Sequence, residues 1–240
     1  MDQLLIALDV ADSGEALRLA DSLRGAVGGF KIGSRLFTSE GPAIVRTLAD
    51  RGDRVFLDLK FHDIPNTVAQ AVAAATALGA WMINVHAAGG LPMMRAAAEA
   101  AGSAAASEGR ARPLLIAVTV LTSMNAGALA ETGIDVPVLD HVARLATLTK
   151  QAGLDGVVAS PQEIGMIRAT CGGEFVVVTP GIRGGAAAGG GDDQQRTMTA
   201  GEAVRDGASY IVVGRPIIAA PDPRKAAERI AAEILAATSQ

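Results

Sequence analysis

The chain has 240 residues, half of them hydrophobic and 19% charged, which excludes a disordered tail or a fibre and suffices to bury a full core. A formal net charge of −4 weighs against a nucleic-acid or acidic-membrane binder, while leaving room for a local basic pocket that takes a phosphate. The single cysteine, Cys171, excludes a disulfide framework and a cysteine-based zinc site. The first apolar run, Leu4–Leu8, is too short for a signal peptide or a membrane span, so a cytoplasmic protein is expected.

In chain order, short β-rich runs predict strands at Leu4–Leu8, Gly29–Ile32, Arg54–Leu59, Trp81–His86, Pro113–Val120, Gly156–Ala159, Phe175–Thr179 and Tyr210–Gly214. Helical periodicity predicts helices over Gly14–Leu23, Pro42–Ala49, Thr67–Leu78, Leu91–Ser107, Val138–Gln151 and Arg224–Ala237. One step takes about 29 residues, the size of a βαβ unit. Strands such as Leu-Leu-Ile-Ala-Val-Thr-Val (114–120) are almost continuously apolar, as parallel strands covered on both faces should be. The 28 glycines, about 12% of the chain and well above the usual share, suit many tight strand–helix corners. These features predict one (β/α)8 barrel over residues 1–240. The alternative is an open doubly wound sheet. The dinucleotide glycine fingerprint is missing after the first strand, where Asp9-Val-Ala-Asp-Ser-Gly14 stands. A Gly-rich segment at about 183–196 follows the seventh strand and reads either as a plain surface loop or as a lid over the site face.

A barrel assembles its active site from the C-terminal ends of its strands, so the polar residues that end the apolar runs are the candidates. They are Asp9, Lys31, Asp58 with Lys60, His86, Thr119 with Thr122, Ser160, Arg183 and Arg215. Several have plainer readings. Asp9 could cap the first helix, although Asp12 and Ser13 are better placed to do so. Lys31 could reach solvent along its aliphatic stem, and His86 reads first as a core histidine. His62, His86 and His141 show no metal-ligand spacing, and no metal or organic cofactor is expected.

The segment Phe56-Leu-Asp-Leu-Lys-Phe-His-Asp-Ile-Pro-Asn-Thr67 is more specific. In a strand, residues i and i+2 share a face, so Asp58 and Lys60 point together while Leu57 and Leu59 point the other way. Asp63 follows one short turn later. A lysine between carboxylates stays protonated, which suits a cation or proton donor better than a Schiff-base nucleophile. The alternative is a structural ion pair, which is costly to bury. Thr179-Pro-Gly-Ile-Arg183 and Val213-Gly-Arg-Pro216 follow strands seven and eight, where barrels often hold phosphate, and Gly214, Arg183 and Arg215 suit an anion.

These motifs resemble the orotidine 5′-phosphate decarboxylase family. The resemblance rests on Asp58-Leu-Lys60-Phe-His-Asp63-Ile-Pro-Asn-Thr67, Ala7-Leu-Asp9, Phe30-Lys31-Ile-Gly33, Val118-Thr-Val-Leu-Thr-Ser123, Thr179-Pro-Gly-Ile-Arg183 and Val212-Val-Gly-Arg-Pro216, and covers essentially the whole chain. Related sugar-phosphate barrels share the Asp-x-Lys-x-x-Asp core. The resemblance implies cofactor-independent decarboxylation of orotidine 5′-monophosphate to uridine 5′-monophosphate and CO2. It makes Lys60 the proton donor to C6, puts Asp58 beside the departing CO2, and has Lys31 and Asp9 hold the ribose hydroxyls. It implies that Asp63 and Thr67 reach the neighbouring subunit's site in a homodimer, and that Thr122 touches the pyrimidine. Arg183, Gln194, Gly214 and Arg215 fall at phosphate positions, with Gln194 preferred over Gln195 because Asp193-Gln194 fits the family's pair. Two alternatives stay open: a metal-assisted 3-keto-sugar-phosphate decarboxylase, and a non-catalytic nucleotide-binding protein.

Overall fold

The structure, a computed structural model, describes residues 2–181 and 198–238. Arg183, Gln194 and the Gly-rich segment at about 183–196 therefore lie outside the described residues.

Eight parallel strands close into a barrel: β1 (Leu4–Ala7), β2 (Gly29–Gly33), β3 (Val55–Phe61), β4 (Met82–His86), β5 (Leu114–Val118), β6 (Gly156–Val158), β7 (Val176–Pro180) and β8 (Tyr210–Val213). Each pairs with its chain neighbour, and β1 also pairs with β8 through Leu4–Ile211, Leu5–Val212 and Ile6–Val213, which settles the choice against an open sheet. The helices are α1 (Ser13–Leu23), α2 (Ser34–Glu40), α3 (Ala43–Asp50), α4 (Pro65–Ala77), α5 (Gly90–Ser107), α6 (Ala126–Glu131), α7 (Val138–Gln151), α8 (Ile164–Cys171), α9 (Ala200–Arg205), α10 (Arg215–Ile218) and α11 (Pro223–Thr238). Strand ends fall within two residues of expectation. The helices α2, α6, α8, α9 and α10 were not expected, because one or two turns carry too little periodicity to register.

Strand alternation sorts the apolar residues into two layers. Leu5, Ala7, Phe56, Met82, Ile116, Val178 and Val212 fill the barrel. Leu4, Ile6, Leu57, Ile83, Val85, Leu115 and Val177 face outward and pack with helix residues such as Ala16, Leu48, Val72 and Ala97. Each fully buried Leu or Ile contributes about 2 kcal/mol. The barrel's N-terminal end carries Trp81 and Tyr210 in edge-to-face contact at 5.2 Å, and the Arg54 guanidinium stands 5.3 Å from the Trp81 ring centre. Apolar filling from below leaves the opposite end for chemistry.

The helix caps follow local chemistry. Asp12 caps α1, its Oδ1 accepting from the Glu15 N–H at 2.8 Å, which frees Asp9 from that duty. Thr199 and Glu202 form a reciprocal capping box at α9. Gly156 is required by packing, since a Cβ there would lie 2.0 Å from the Val176 carbonyl oxygen. No helix among the described residues is long and apolar enough to cross a membrane.

Candidate active site

The inward positions of the strands lead directly to the charged residues. Two residues beyond inward-facing Ala7, Phe56, Met82 and Val212 stand Asp9, Asp58, Asn84 and Gly214. Lys31 pairs in register with Phe56 on the next strand. The barrel mouth therefore gathers groups that are distant in sequence.

They form an alternating array. Lys60 Nζ donates to Asp58 Oδ1 at 2.7 Å, Lys31 Nζ lies 3.3 Å from Asp58 Oδ2, and the same Nζ lies 3.4 Å from Asp9 Oδ1. The Asp58 and Lys31 side chains are only 12% and 11% exposed, whereas Lys60 is 35% exposed and so opens towards the mouth. Leu57 and Leu59 pack on the outer side, as the two-residue alternation predicts. Burial by itself pushes the Asp58 carboxyl upward. The ammonium groups of Lys31 and Lys60, with hydrogen bonds from Lys60 and Asn84, outweigh it and hold Asp58 below the usual carboxylate range. Asp58 is thus a buried anion whose two oxygens are each met by a cation.

The backbone that presents Lys60 is not a regular strand. Lys60 has φ of 53°, the only positive value at a non-glycine among the described residues. The pairing of β3 with β4 shifts register between Leu57 and Phe61, so the charged segment sits on a bulge. Such strain costs of order 1–3 kcal/mol and persists only where surrounding bonds over-determine it. Asn84 supplies two of those bonds. Its Nδ2 donates to Asp58 Oδ1 at 2.7 Å, and its Oδ1 accepts the Lys60 backbone N–H at 2.8 Å. Asn84 is fully buried, and the sequence reading missed it. Its only signal was an amide in the middle of the otherwise apolar Met82-Ile-Asn-Val-His86.

Among the described residues of one chain, the Lys60 ammonium pairs with Asp58. The chain leaves the barrel after Phe61 and turns into α4, and the Asp63 carboxylate accepts from the Ile64 N–H at 2.6 Å. Residues His62 to Thr67 are all exposed. Thr122 is half-buried in the turn after β5. Thr119 is buried and donates to the Val158 carbonyl at 3.1 Å, and buried Ser160 donates its backbone N–H to Glu163. Both serve the scaffold in these bonds. His86 ends β4 with its ring 5.3 Å from that of His62. Burial, then His62 and Lys60, lowers the His86 pKa and favours the neutral ring. Gly214 precedes α10, and a Cβ on it would lie 3.5 Å from Ala7 Cβ and 3.7 Å from Asp9 Oδ2, so the residue borders the array. Arg215 follows, exposed, as the first residue of α10.

A closed (β/α)8 barrel whose charged residues converge at the C-terminal ends of its strands has the construction of a barrel enzyme. The family model described as "Orotidine 5'-phosphate decarboxylase / HUMPS family" matches residues 2–230, and the chain belongs to that family. It is 56% identical over 234 residues to an orotidine 5′-phosphate decarboxylase of Moorella thermoacetica, covering 97% of this chain and 92% of the relative. A Syntrophotalea carbinolica enzyme of the same name is 52% identical over 238 residues, covering 99% and 97%. The crystal structure of the Lactobacillus acidophilus orotidine 5′-phosphate decarboxylase superposes with a TM-score of 0.85 at 36% identity, covering 96% of this chain and 98% of that one.

Proposed function

We propose that the chain decarboxylates orotidine 5′-monophosphate to uridine 5′-monophosphate and CO2, the last step of uridine monophosphate biosynthesis, with no cofactor. The observation that carries this reading is the Lys60 ammonium held 2.7 Å from a buried, ionised Asp58 at the barrel mouth. The family relationship and the names of its relatives support the substrate.

The reaction breaks the C6–carboxylate bond heterolytically. CO2 leaves, and the electron pair remains at C6 in the plane of the ring, without a π system to absorb it. Electrostatic stabilisation must therefore stand ready where that charge grows. Lys60 supplies it with little reorganisation because Asp58 already fixes its ammonium. A proton then passes from Nζ to C6, and the neutral amine regains one from solvent. Asp58 sits beside the departing carboxylate. Lys31 and Asp9 hold the ribose hydroxyls, and Thr122 touches the pyrimidine. Gly214 and Arg215 receive the phosphate, together with Arg183 and Gln194. Phosphate binding far from C6 helps form the reactive geometry.

The working unit is a homodimer in the cytoplasm. Exposure of Asp63, Thr67 and the neighbouring Ile64, which is 66% exposed, supports a role for this segment against a second copy. Asp63 would then complete the array from across the interface.

The competing sugar-phosphate reading needs a metal to stabilise an enediolate. Among the described residues no three His, Cys, Asp or Glu side chains gather as a ligand set, and the oxygens of Asp58 are already engaged by Lys31, Lys60 and Asn84. The test is loss of the orotate absorbance band when purified chain meets orotidine 5′-monophosphate in the presence of chelator. Turnover that survives the chelator is expected. Absence of turnover contradicts the proposal, and activity that the chelator abolishes favours the metal-dependent reading. Binding of uridine 5′-monophosphate without CO2 release favours the non-catalytic one.

A further inference from the structure

We propose that Asn84 is a positioning residue that locks the Asp58–Lys60 pair onto the β3 bulge, a role that rests on the decarboxylase reading of the site. The pairing of β3 with β4 runs Phe56–Met82 and Leu57–Ile83, then resumes at Phe61–Val85. Between these points β3 spends three residues where β4 spends one, Asn84, so Asp58, Leu59 and Lys60 lose a regular backbone ladder. The Lys60 N–H donates instead to Asn84 Oδ1. The other end of the same amide donates to Asp58 Oδ1, the oxygen that also accepts from Lys60 Nζ. A closed circuit results: the backbone of Lys60 is held by Asn84, Asn84 holds Asp58, and Asp58 holds the ammonium of Lys60.

An amide places an acceptor and a donor on two separate atoms at the end of one short, uncharged side chain, and the two partners fix which end is which. Asn84 has no solvent exposure, so water does not replace it cheaply. It also holds in place a backbone conformation that lysine rarely adopts. The charged and titratable groups around Asp58 are Lys31 from β2, Lys60 from its own strand, His86 from β4, and Asp9 beyond Lys31 after β1. Without the Asn84 donor, the ionised form of Asp58 loses one of the bonds that favour it.

The test compares wild-type chain with Asn84→Ala and the isosteric Asn84→Asp. It measures kcat and KM for orotidine 5′-monophosphate across pH, thermal stability, and the titration of the Asp58 carboxyl by ¹³C NMR. For Asn84→Ala, kcat falls about 100-fold with KM within about 3-fold, because the reacting groups are misplaced while the nucleotide contacts remain. The acid limb of the profile and the Asp58 midpoint both move up. Asn84→Asp moves them further, since two carboxylates then compete for one proton. It keeps the side-chain shape should the alanine variant fail to fold. A lowered melting temperature with kcat per folded site and both midpoints unchanged means a purely structural role and overturns the proposal. If the wild-type chain shows no decarboxylation, the activity reading fails by itself. The Asp58 titration still decides the claim for Asn84, and an unmoved midpoint overturns it.

Discussion

Lys60 holds its ammonium against Asp58 from a left-handed backbone, and in the proposed mechanism it supplies both the stabilising charge and the proton. Replacing it with alanine removes both the stabilising charge and the proton. Lys60→Ala should lower turnover by at least about 10⁴-fold while the product nucleotide still binds within about tenfold, as steady-state kinetics and calorimetry would show. Turnover near the wild-type rate would remove Lys60 from the mechanism. Arg215→Ala should act oppositely, weakening uridine 5′-monophosphate binding about 10- to 100-fold through loss of charged hydrogen bonds to phosphate. An unchanged dissociation constant would count against that assignment. At this scale the sequence was legible where period-two alternation sufficed, as for Asp58 and Lys60. It was silent on the φ of Lys60 and on Asn84, because a bulge and a cross-strand amide depend on partners about 25 residues away that no local pattern names.

Glycines in equivalent-looking runs do different work in different elements. Gly156 in β6 faces the Val176 carbonyl oxygen with no room for a methyl group, so Gly156→Ala should destabilise the fold by about 3 kcal/mol or more. Gly102 lies within α5 with open space where a Cβ would stand, and Gly102→Ala should stabilise by about 0.5–1 kcal/mol. Urea unfolding of both variants checks the contrast, and equal effects would show that close β6–β7 packing is not what fixes Gly156. Element type and order were readable because continuous apolar strands and three-turn helices repeat along the chain. Short helices such as α6 and α10 escaped because each buries a single side chain, Leu129 or Ile217, and so displays no periodic face. The β3 bulge escaped because Val55–Phe61 reads as one uninterrupted strand.

At the scale of the whole molecule, the exposed His62–Thr67 segment is where the proposed homodimer is tested. If Asp63 serves the neighbouring site, Lys60→Ala and Asp63→Ala chains, each inactive alone, should recover about a quarter of wild-type activity when subunits are exchanged at equal ratio, because half the dimers then hold one intact site. No recovery, in a preparation shown to exchange, would mean that the site is built from one chain. Acid should also loosen the fold. Asp58 and His86 both have folded pKa values below their ordinary 3.8 and 6.5, so each binds fewer protons folded than unfolded. The contribution of His86 is complete above pH 6.5 and fades as pH falls through its folded value. That of Asp58 is complete above 3.8 and is lost only in stronger acid. Urea midpoints measured between pH 7 and pH 4 should therefore decline, and the decline should shrink in His86→Gln.

The most direct measurement runs the decarboxylation in D2O with chelator present and reads the product by proton NMR, for the wild-type chain and for Lys60→Ala. Uridine 5′-monophosphate carrying deuterium at C6 from the wild type, and none from the variant, is the predicted result. Labelled product formed at similar rates by both would show that the proton reaches C6 by another route.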